Sequence, residues 1–200
     1  MKKTLLVTYT PRIGSNTKKM VDTFKEASKN RTELTVLDLV ETPPSLLLSS
    51  ELNTFIKANY TDEALTEQEE AVLKKNNEMT ELVKQADYIV VAYPIYNFSL
   101  PATVKAWADA IIQKDKTFSL NQEGFQGICT NKDALILSTA GYELGEGDLA
   151  TPLMKACLGF MGIPSDEIVV YGMNQFPEKA AGLMQDAQSK IEHICTAWYS

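Results

Sequence analysis

Short apolar runs with the composition of buried strands alternate along this chain with longer stretches in which apolar residues recur at helical spacing. A run that is nearly all apolar, such as Tyr88–Tyr93, predicts a strand that is covered on both faces. Strands that alternate with helices predict a parallel sheet, wound by right-handed crossovers, with helices on both faces. We therefore expect an α/β fold with parallel strands at Thr4–Tyr9, Leu34–Leu39, Tyr88–Tyr93, Ala134–Ser138 and Ile168–Tyr171.

Each predicted strand is followed by a stretch with helical periodicity. Within Ala102–Gln113, for example, Val104, Trp107 and Ile111 fall on one face, as in a helix that packs against a core. The predicted helices are Asn16–Lys29, Ala71–Gln85, Ala102–Gln113, Leu149–Phe160 and Glu178–Trp198.

One stretch, Val40–Glu70, follows no regular pattern. It contains Pro43-Pro44, three consecutive leucines at positions 46–48, and some helical character over Glu51–Ala58. Two interpretations stay open: an elaborated crossover between the second and third strands, or a leucine segment that packs against a partner subunit.

The length and charge of the chain limit its partners. The chain has 200 residues, which predicts one domain over residues 1–200. Its 19 Lys and Arg against 26 Asp and Glu give a net charge of −7. Nucleic acids and anionic membranes bind basic surfaces, so we expect neither as a partner.

Cysteine and histidine usage argues against a metal site. Cys129, Cys157 and Cys195 lie far apart without a C-x-x-C pair, which is typical of small buried residues in a cytoplasmic protein. His193 is the only histidine, so a catalytic triad or a histidine metal site would depend on it alone. The basic start at Met1–Lys3 precedes an apolar run too short for a signal peptide. We expect a soluble cytoplasmic protein without a metal.

Ligands of an open parallel sheet bind beyond the carboxyl ends of the strands, where the connections change direction. The loop after the first strand, Thr10–Thr17, matches neither the P-loop nor the dinucleotide fingerprint. It carries hydroxyl and amide side chains and begins a helix, whose free N–H groups can hold a phosphate. Plain capping of that helix by Ser15 or Asn16 is the alternative. Arg12 either pairs with the phosphate or faces water.

Two further loops follow buried strands and are expected at the same carboxyl ends of the sheet. In Pro94–Pro101, two prolines bracket two aromatic residues and Asn97. A rigid backbone with aromatic neighbours suits a flat conjugated ring, and a well-packed turn in which Pro101 begins the next helix is the alternative. The loop from Ser138 to Asp148 contains Gly141, which lets the backbone approach a ligand closely.

Together these loops resemble those of the flavodoxin-like family of FMN-dependent azoreductases and quinone reductases, and the resemblance covers nearly the whole chain. Its strongest part is P-I-Y-N-F-S-L-P at Pro94–Pro101, where the family has a P-M-Y-N-F-type motif on the flavin. Thr10 and the segment Ser15-Asn16-Thr17 match hydroxyl residues that the family has after the first strand. The L-G-F-M-G-I segment at Leu158–Ile163 is similar to the family's L-G-F-x-G-I.

The resemblance implies a doubly wound sheet of order 2-1-3-4-5 and a single FMN-binding domain. It also implies NADH or NADPH as the electron donor, and a quinone or azo compound as the acceptor of two electrons in a ping-pong cycle. Because the chemistry belongs to FMN, no catalytic side chain is implied. The residues implied to bind FMN are Thr10, Ser15, Asn16 and Thr17 at the phosphate, and Pro94, Ile95, Tyr96, Asn97, Phe98, Thr139, Ala140 and Gly141 at the ring system.

The family's sites lie at a homodimer interface, with aromatic residues beside the acceptor. The resemblance implies Phe118, Tyr142 and Phe160 as substrate-binding residues, with ordinary core packing as the alternative for Phe118 and Phe160. Tyr142 departs from the small residues that many relatives have there. Two other functions stay open at this point: a flavodoxin-type FMN electron carrier that does not oxidise NADH or NADPH, and a flavin-free interaction module.

Overall fold

A five-stranded parallel sheet forms the centre of the protein, in a computed structural model that describes residues 1–200. In chain order the elements are β1 (Lys3–Thr8), α1 (Asn16–Ala27), β2 (Glu33–Asp38), α2 (Ser49–Tyr60), α3 (Glu67–Gln85), β3 (Tyr88–Pro94), α4 (Ala102–Ile111), β4 (Phe118–Asn121), β5 (Gly124–Gly127), β6 (Asp133–Thr139), α5 (Ala150–Phe160), β7 (Ser165–Val170) and α6 (Ala180–Trp198). The sheet order is β2-β1-β3-β6-β7. The predicted parallel sheet with helices is confirmed, and its order corresponds to 2-1-3-4-5 among the predicted strands.

Both faces of the sheet are buried. Leu5 and Val7 of β1 point into a core formed with α3, α4 and α5, which includes Trp107. Leu6 points the other way, into a second core with Phe24 of α1 and residues of α6. Successive side chains of a strand point to opposite faces, so a strand buried on both sides needs the unbroken apolar run that the sequence has there.

Two elements were not predicted as such. The short strands β4 and β5 form an antiparallel hairpin outside the main sheet, with Gly124 at a φ of +113° in its turn. Four-residue strands are too short to show a clear period in the sequence. β7 also begins three residues before the predicted Ile168, because its polar start, Ser165–Glu167, lies on the edge strand of the sheet and needs no second covering layer.

The irregular stretch before α3 contains the helix α2. Thr66 and Glu69 form a capping box that starts α3 at Glu67, four residues before the predicted start. Lys57 of α2 lies 2.9 Å from a Glu69 carboxylate oxygen and joins the two helices. Leu46 and Leu48 remain exposed, so both interpretations of the leucine segment stay open.

Neither of the two longest helices, α3 and α6, nor any shorter one combines the length and the apolar character that crossing a membrane requires.

Candidate active site

A cavity of about 240 Å³ opens at the carboxyl ends of the parallel strands. Four loops contribute to its wall: those after β1, β3, β6 and β7. The first three are the loops that sequence reasoning selected, and the structure brings them together. The lining residues are Pro11, Arg12, Ser15, Asn16, Thr17, Pro94, Ile95, Tyr96, Thr139, Ala140, Gly141, Met173 and Asn174.

The first wall is the start of α1. Gly14 has a φ of +70°, a conformation that favours glycine and that turns the chain into the helix. Ser15 caps the helix, because its Oγ accepts a hydrogen bond from the Lys18 N–H at 3.2 Å. The backbone N–H groups of Asn16 and Thr17 have no partner in the chain. Free N–H groups at a helix start are suited to an anion, so capping and anion binding coexist here.

Two hydroxyls join this helix to the sheet. The Oγ1 atoms of Thr17 and Thr139 lie 2.7 Å apart, and both side chains are buried. Only one hydroxyl of such a pair donates to the other, so the second keeps its proton for another acceptor. Because both residues line the cavity, that donor is available at its inner end.

The loop after β3 makes a tight two-residue turn. Tyr96 and Ser99 exchange two backbone hydrogen bonds, of 3.1 and 3.0 Å. Asn97 and Phe98 between them have φ values of 49° and 69°, which a residue as bulky as Phe98 rarely adopts. The Tyr96 N–H is used within the turn, whereas the N–H groups of Asn97 and Phe98 have no partner in the chain. The turn therefore offers two free donors at the edge of the cavity.

The loops after β6 and β7 support each other. The Gly141 carbonyl accepts hydrogen bonds from the Asn174 and Gln175 N–H groups at 2.8 and 3.0 Å. A Cβ at Gly141 would lie 2.6 Å from Asn174 Nδ2, so a larger residue would displace the Asn174 side chain. The Gly141 N–H has no partner in the chain. Glycine thus lets the Asn174 side chain lie close to the backbone of the loop after β6.

The charge of the cavity wall comes from one side chain. Arg12 is the only charged residue that lines it. Tyr96 stands at the edge with its ring 6.3 Å from that of Tyr9, in an edge-to-face contact. Burial and the neighbouring Tyr9 raise the pKa of Tyr96, and the positive charge of Arg12 opposes them. A positive wall without carboxylates favours an anionic ligand.

Most of the predicted cofactor residues line the cavity, with three exceptions. Thr10 is half-buried in the loop after β1 and does not line it, and the exposed Asn97 and Phe98 stand beside it. Met173 and Asn174 were not predicted, because only the loops after three of the strands were expected to reach a ligand. Their position in the loop after β7, the strand that pairs with β6, was the signal that could have found them.

The predicted substrate residues do not line the cavity. Tyr142 is exposed in the loop beside Gly141. Phe118 and Phe160 have ring centroids 4.9 Å apart, and together with Phe125 they form the aromatic cluster. The end of α5 lies near the start of β6, where Ala134 N–H donates to the Pro164 carbonyl at 2.9 Å. Within one chain, the aromatic cluster therefore lies toward the amino ends of the strands, whereas the cavity lies at their carboxyl ends.

A doubly wound sheet of this order, with a ligand cavity at the carboxyl ends of its strands, is typical of the class of flavodoxin-like proteins. A family model described as Flavodoxin_2, with a flavodoxin-like fold, matches residues 2–194. The chain belongs to this family.

Curated relatives and a solved structure extend this comparison. The chain is 31% identical over 185 residues to an FMN-dependent NADH:quinone oxidoreductase of Macrococcus caseolyticus, which covers 88% of this chain and 87% of the relative. It is 32% identical over 180 residues to a protein of the same name from Vibrio parahaemolyticus, over 88% of this chain and 90% of the relative. An FMN-dependent NADH-azoreductase from Bacillus anthracis, solved in complex with FMN, has the same fold, with a TM-score of 0.86 at 20% identity over the full length of both chains.

Proposed function

We propose that this chain is an FMN-dependent oxidoreductase that transfers two electrons from NADH, or from NADPH, to quinones or azo compounds. The observation that carries the proposal is the single cavity in which the hydroxyl-rich start of α1 meets the loops after β3 and β6. The names of the curated relatives, both of which are FMN-dependent NADH:quinone oxidoreductases, support the same activity.

The wall of the cavity fits FMN at both ends of that molecule. At the inner end, the N–H groups of Asn16 and Thr17 and the charge of Arg12 would hold the phosphate. Ser15, Thr17 and the nearby Thr10 supply neutral hydroxyls. A phosphate can be bound in this way by an acidic chain, because the local donors, not the net charge, determine the interaction.

The outer end suits a flat ring with polar edges. The N–H groups of Asn97, Phe98 and Gly141 have no partner in the chain and lie on or beside the cavity wall. We propose that these donors hold the ring oxygens and nitrogens, with Pro94, Ile95, Tyr96, Thr139 and Ala140 around the ring.

Bound FMN supplies the chemistry itself, since it accepts a hydride and passes on two electrons. The chain holds the ring in place, leaves one side open and presents N–H dipoles to the negative charge that reduction adds. No side chain has to act as a nucleophile. We propose a ping-pong order, in which the nicotinamide and the acceptor occupy the same open side in turn.

The acceptor pocket needs a second copy of the chain. In one chain the aromatic cluster of Phe118, Phe125 and Phe160 is remote from the cavity. Its Phe125 ring is 62% exposed and is therefore free to contact another molecule. We propose a homodimer in which the aromatic cluster of one copy lies over the cavity of the other, beside Tyr142. Residues 1–200 would form a single domain, and the three free cysteines support a cytoplasmic location.

An absorbance experiment tests the activity. Purified protein is loaded with FMN and mixed with NADH or NADPH without oxygen, and the flavin band near its visible maximum is followed. We expect the band to bleach without a partner protein, and to return when a quinone or an azo dye is added. FMN-loaded protein that binds the flavin yet oxidises neither nicotinamide would be an electron carrier. Failure to bind FMN would leave the flavin-free module.

A further inference from the structure

A buried carboxylate lies behind the cavity and does not line it. Asp148 is 9% exposed and stands just before α5. Its Oδ1 accepts hydrogen bonds from the N–H groups of Ala150 and Thr151 at 2.9 and 3.0 Å. Its Oδ2 accepts from the hydroxyls of Thr151 and Tyr171, both at 2.6 Å. All four hydrogen bonds, which come from three residues, are donated to the carboxylate, so the site is built for its ionised form.

The contacts of Asp148 exceed those of a helix cap. A cap needs one acceptor oxygen for the free N–H groups of the first turn. Here the second oxygen reaches Tyr171, which follows β7 and precedes the cavity residues Met173 and Asn174. The carboxylate thus fastens the loop after β6 to the loop after β7.

The same segment holds the turn at Phe98. The N–H of Leu149, next to Asp148, donates to the Phe98 carbonyl at 2.8 Å. On the other side of Asp148, a Cβ at Gly147 would lie 3.4 Å from the Phe98 ring, so the ring packs directly on the Gly147 backbone. Phe98 has a φ of 69°, and a bulky residue keeps such a conformation only where its surroundings hold it.

We propose that Asp148 is a positioning residue for the cofactor, through which the α5 start and Tyr171 hold the Phe98 turn and the Met173–Asn174 segment in their binding geometry. The inference rests on the proposed function, because the geometry matters through FMN. Burial alone would raise the pKa of Asp148, but the hydrogen bonds from Thr151, Tyr171 and Ala150 together lower it. The carboxylate is therefore charged at neutral pH and keeps its full acceptor capacity.

The variant Asp148→Asn tests the positioning in two ways. The first is amide hydrogen exchange of the FMN-free chain, which does not depend on the proposed function. We expect at least tenfold faster exchange at Ser99, whose N–H closes the Phe98 turn, and at Asn174, whose N–H donates to Gly141. The second is FMN affinity by fluorescence titration, which we expect to fall at least tenfold.

Tyr171→Phe and Thr151→Val each remove one hydroxyl donor, and they keep the test open if Asp148→Asn does not fold. Tyr199→Phe is the matched control, since it removes a hydroxyl that forms a hydrogen bond with Thr4 at 2.8 Å. Thr4 lies near the amino end of β1, away from the cavity. We expect the control to leave exchange at Ser99 and Asn174 and FMN affinity unchanged, even where it lowers Tm.

Two results would overturn the proposal: unchanged exchange at Ser99 and Asn174 in Asp148→Asn, or wild-type FMN affinity in that variant. An equal loss of FMN affinity in Tyr199→Phe would do the same, since Asp148 would then act only through general stability. Absence of FMN binding by the wild-type chain would instead refute the proposed function, and the exchange data would still decide whether Asp148 holds the two loops.

Discussion

The hydroxyl oxygens of Thr17 and Thr139 lie 2.7 Å apart, although the two residues are 122 positions apart in the chain. Thr17 lies in the first turn of α1, and Thr139 ends β6. Their hydrogen bond joins the start of the helix, where we propose that the phosphate binds, to the strand that leads into Ala140 and Gly141, which we propose to lie beside the ring. The two parts of the proposed cofactor site are therefore linked by a buried contact.

Replacing Thr17 by Val keeps the shape of the side chain and removes both this contact and a donor to the phosphate. A hydrogen bond to a charged group contributes about 1.5 kcal/mol or more, so we expect roughly tenfold weaker FMN binding. Fluorescence titration measures the change. Thr4→Val is the matched control, because Thr4 and Thr32 form an equivalent buried pair at 2.8 Å remote from the cavity. Equal losses in both variants would contradict a specific role.

Arg12 is expected to act through its charge. It is exposed, so pairing with the phosphate contributes no more than about 1 kcal/mol, and Arg12→Met should weaken FMN binding by up to roughly fivefold. Salt screens exposed charges, so the difference from wild type should shrink as ionic strength rises from 0.05 to about 0.5 M. Arg31→Met, which lies outside the cavity, should match the wild type throughout. A difference that does not depend on salt would show that Arg12 acts by packing.

We expect the left-handed turn at Phe98 to lower the stability of the chain and to strengthen FMN binding. Phe98→Gly removes a bulky residue from a left-handed conformation that costs about 1 kcal/mol or more, and should raise Tm by roughly 2–4 °C in a chain of this size. The same variant should weaken FMN binding, because a glycine frees the turn. Phe98→Ala keeps the strained backbone and should not gain stability. A lower Tm in Phe98→Gly than in Phe98→Ala would refute this account.

The sequence predicts the parts of this molecule that depend on local pattern. The central residues of β3 and β6 are apolar because both faces are covered. Their loops meet the loop after β1 because parallel strands place their carboxyl ends together. The three loops that the strand pattern selects therefore supply most of the cavity wall.

The remaining features depend on contacts between distant residues. Asp148 reads in the sequence as one more polar loop residue, and only the fold brings the Tyr171 hydroxyl to it. Met173 and Asn174 have no distinctive composition and reach the cavity because β7 pairs with β6. The role of the aromatic cluster is also not predictable from local sequence, since its proposed partner is a surface of a second copy of the chain.

Glu69 gives a prediction about acid stability. A backbone hydrogen bond from Thr66, with further bonds from Lys57 and the Thr66 hydroxyl, lowers the pKa of Glu69 from 4.5 to about 2. A lowered folded-state pKa contributes stability above the unfolded value, and this contribution is lost as the pH falls from 4.5 toward 2. Glu69→Gln should therefore have a lower Tm than wild type at pH 6, with the difference disappearing near pH 2. Glu70→Gln, whose side chain has no hydrogen bond or ion pair, should show no such trend.

Substitutions in the aromatic cluster test whether a second copy of the chain completes the acceptor pocket. Phe118 is only 2% exposed, so Phe118→Ala would cost about 3 kcal/mol or more of stability and would confuse the result. Phe125→Ala removes a ring that is 62% exposed and is better suited. We expect this variant to raise the KM for a quinone several-fold, while the FMN affinity and the rate of reduction at saturating NADH stay at wild-type values. Steady-state kinetics with menadione measure the KM, fluorescence titration measures the FMN affinity, and a stopped-flow half-reaction measures the rate of reduction. Sedimentation gives the oligomeric state of the variant. Unchanged KM in a variant that remains dimeric would remove the cluster from the acceptor pocket, whereas a monomeric variant with normal FMN affinity and a raised KM would show that the pocket depends on the second copy.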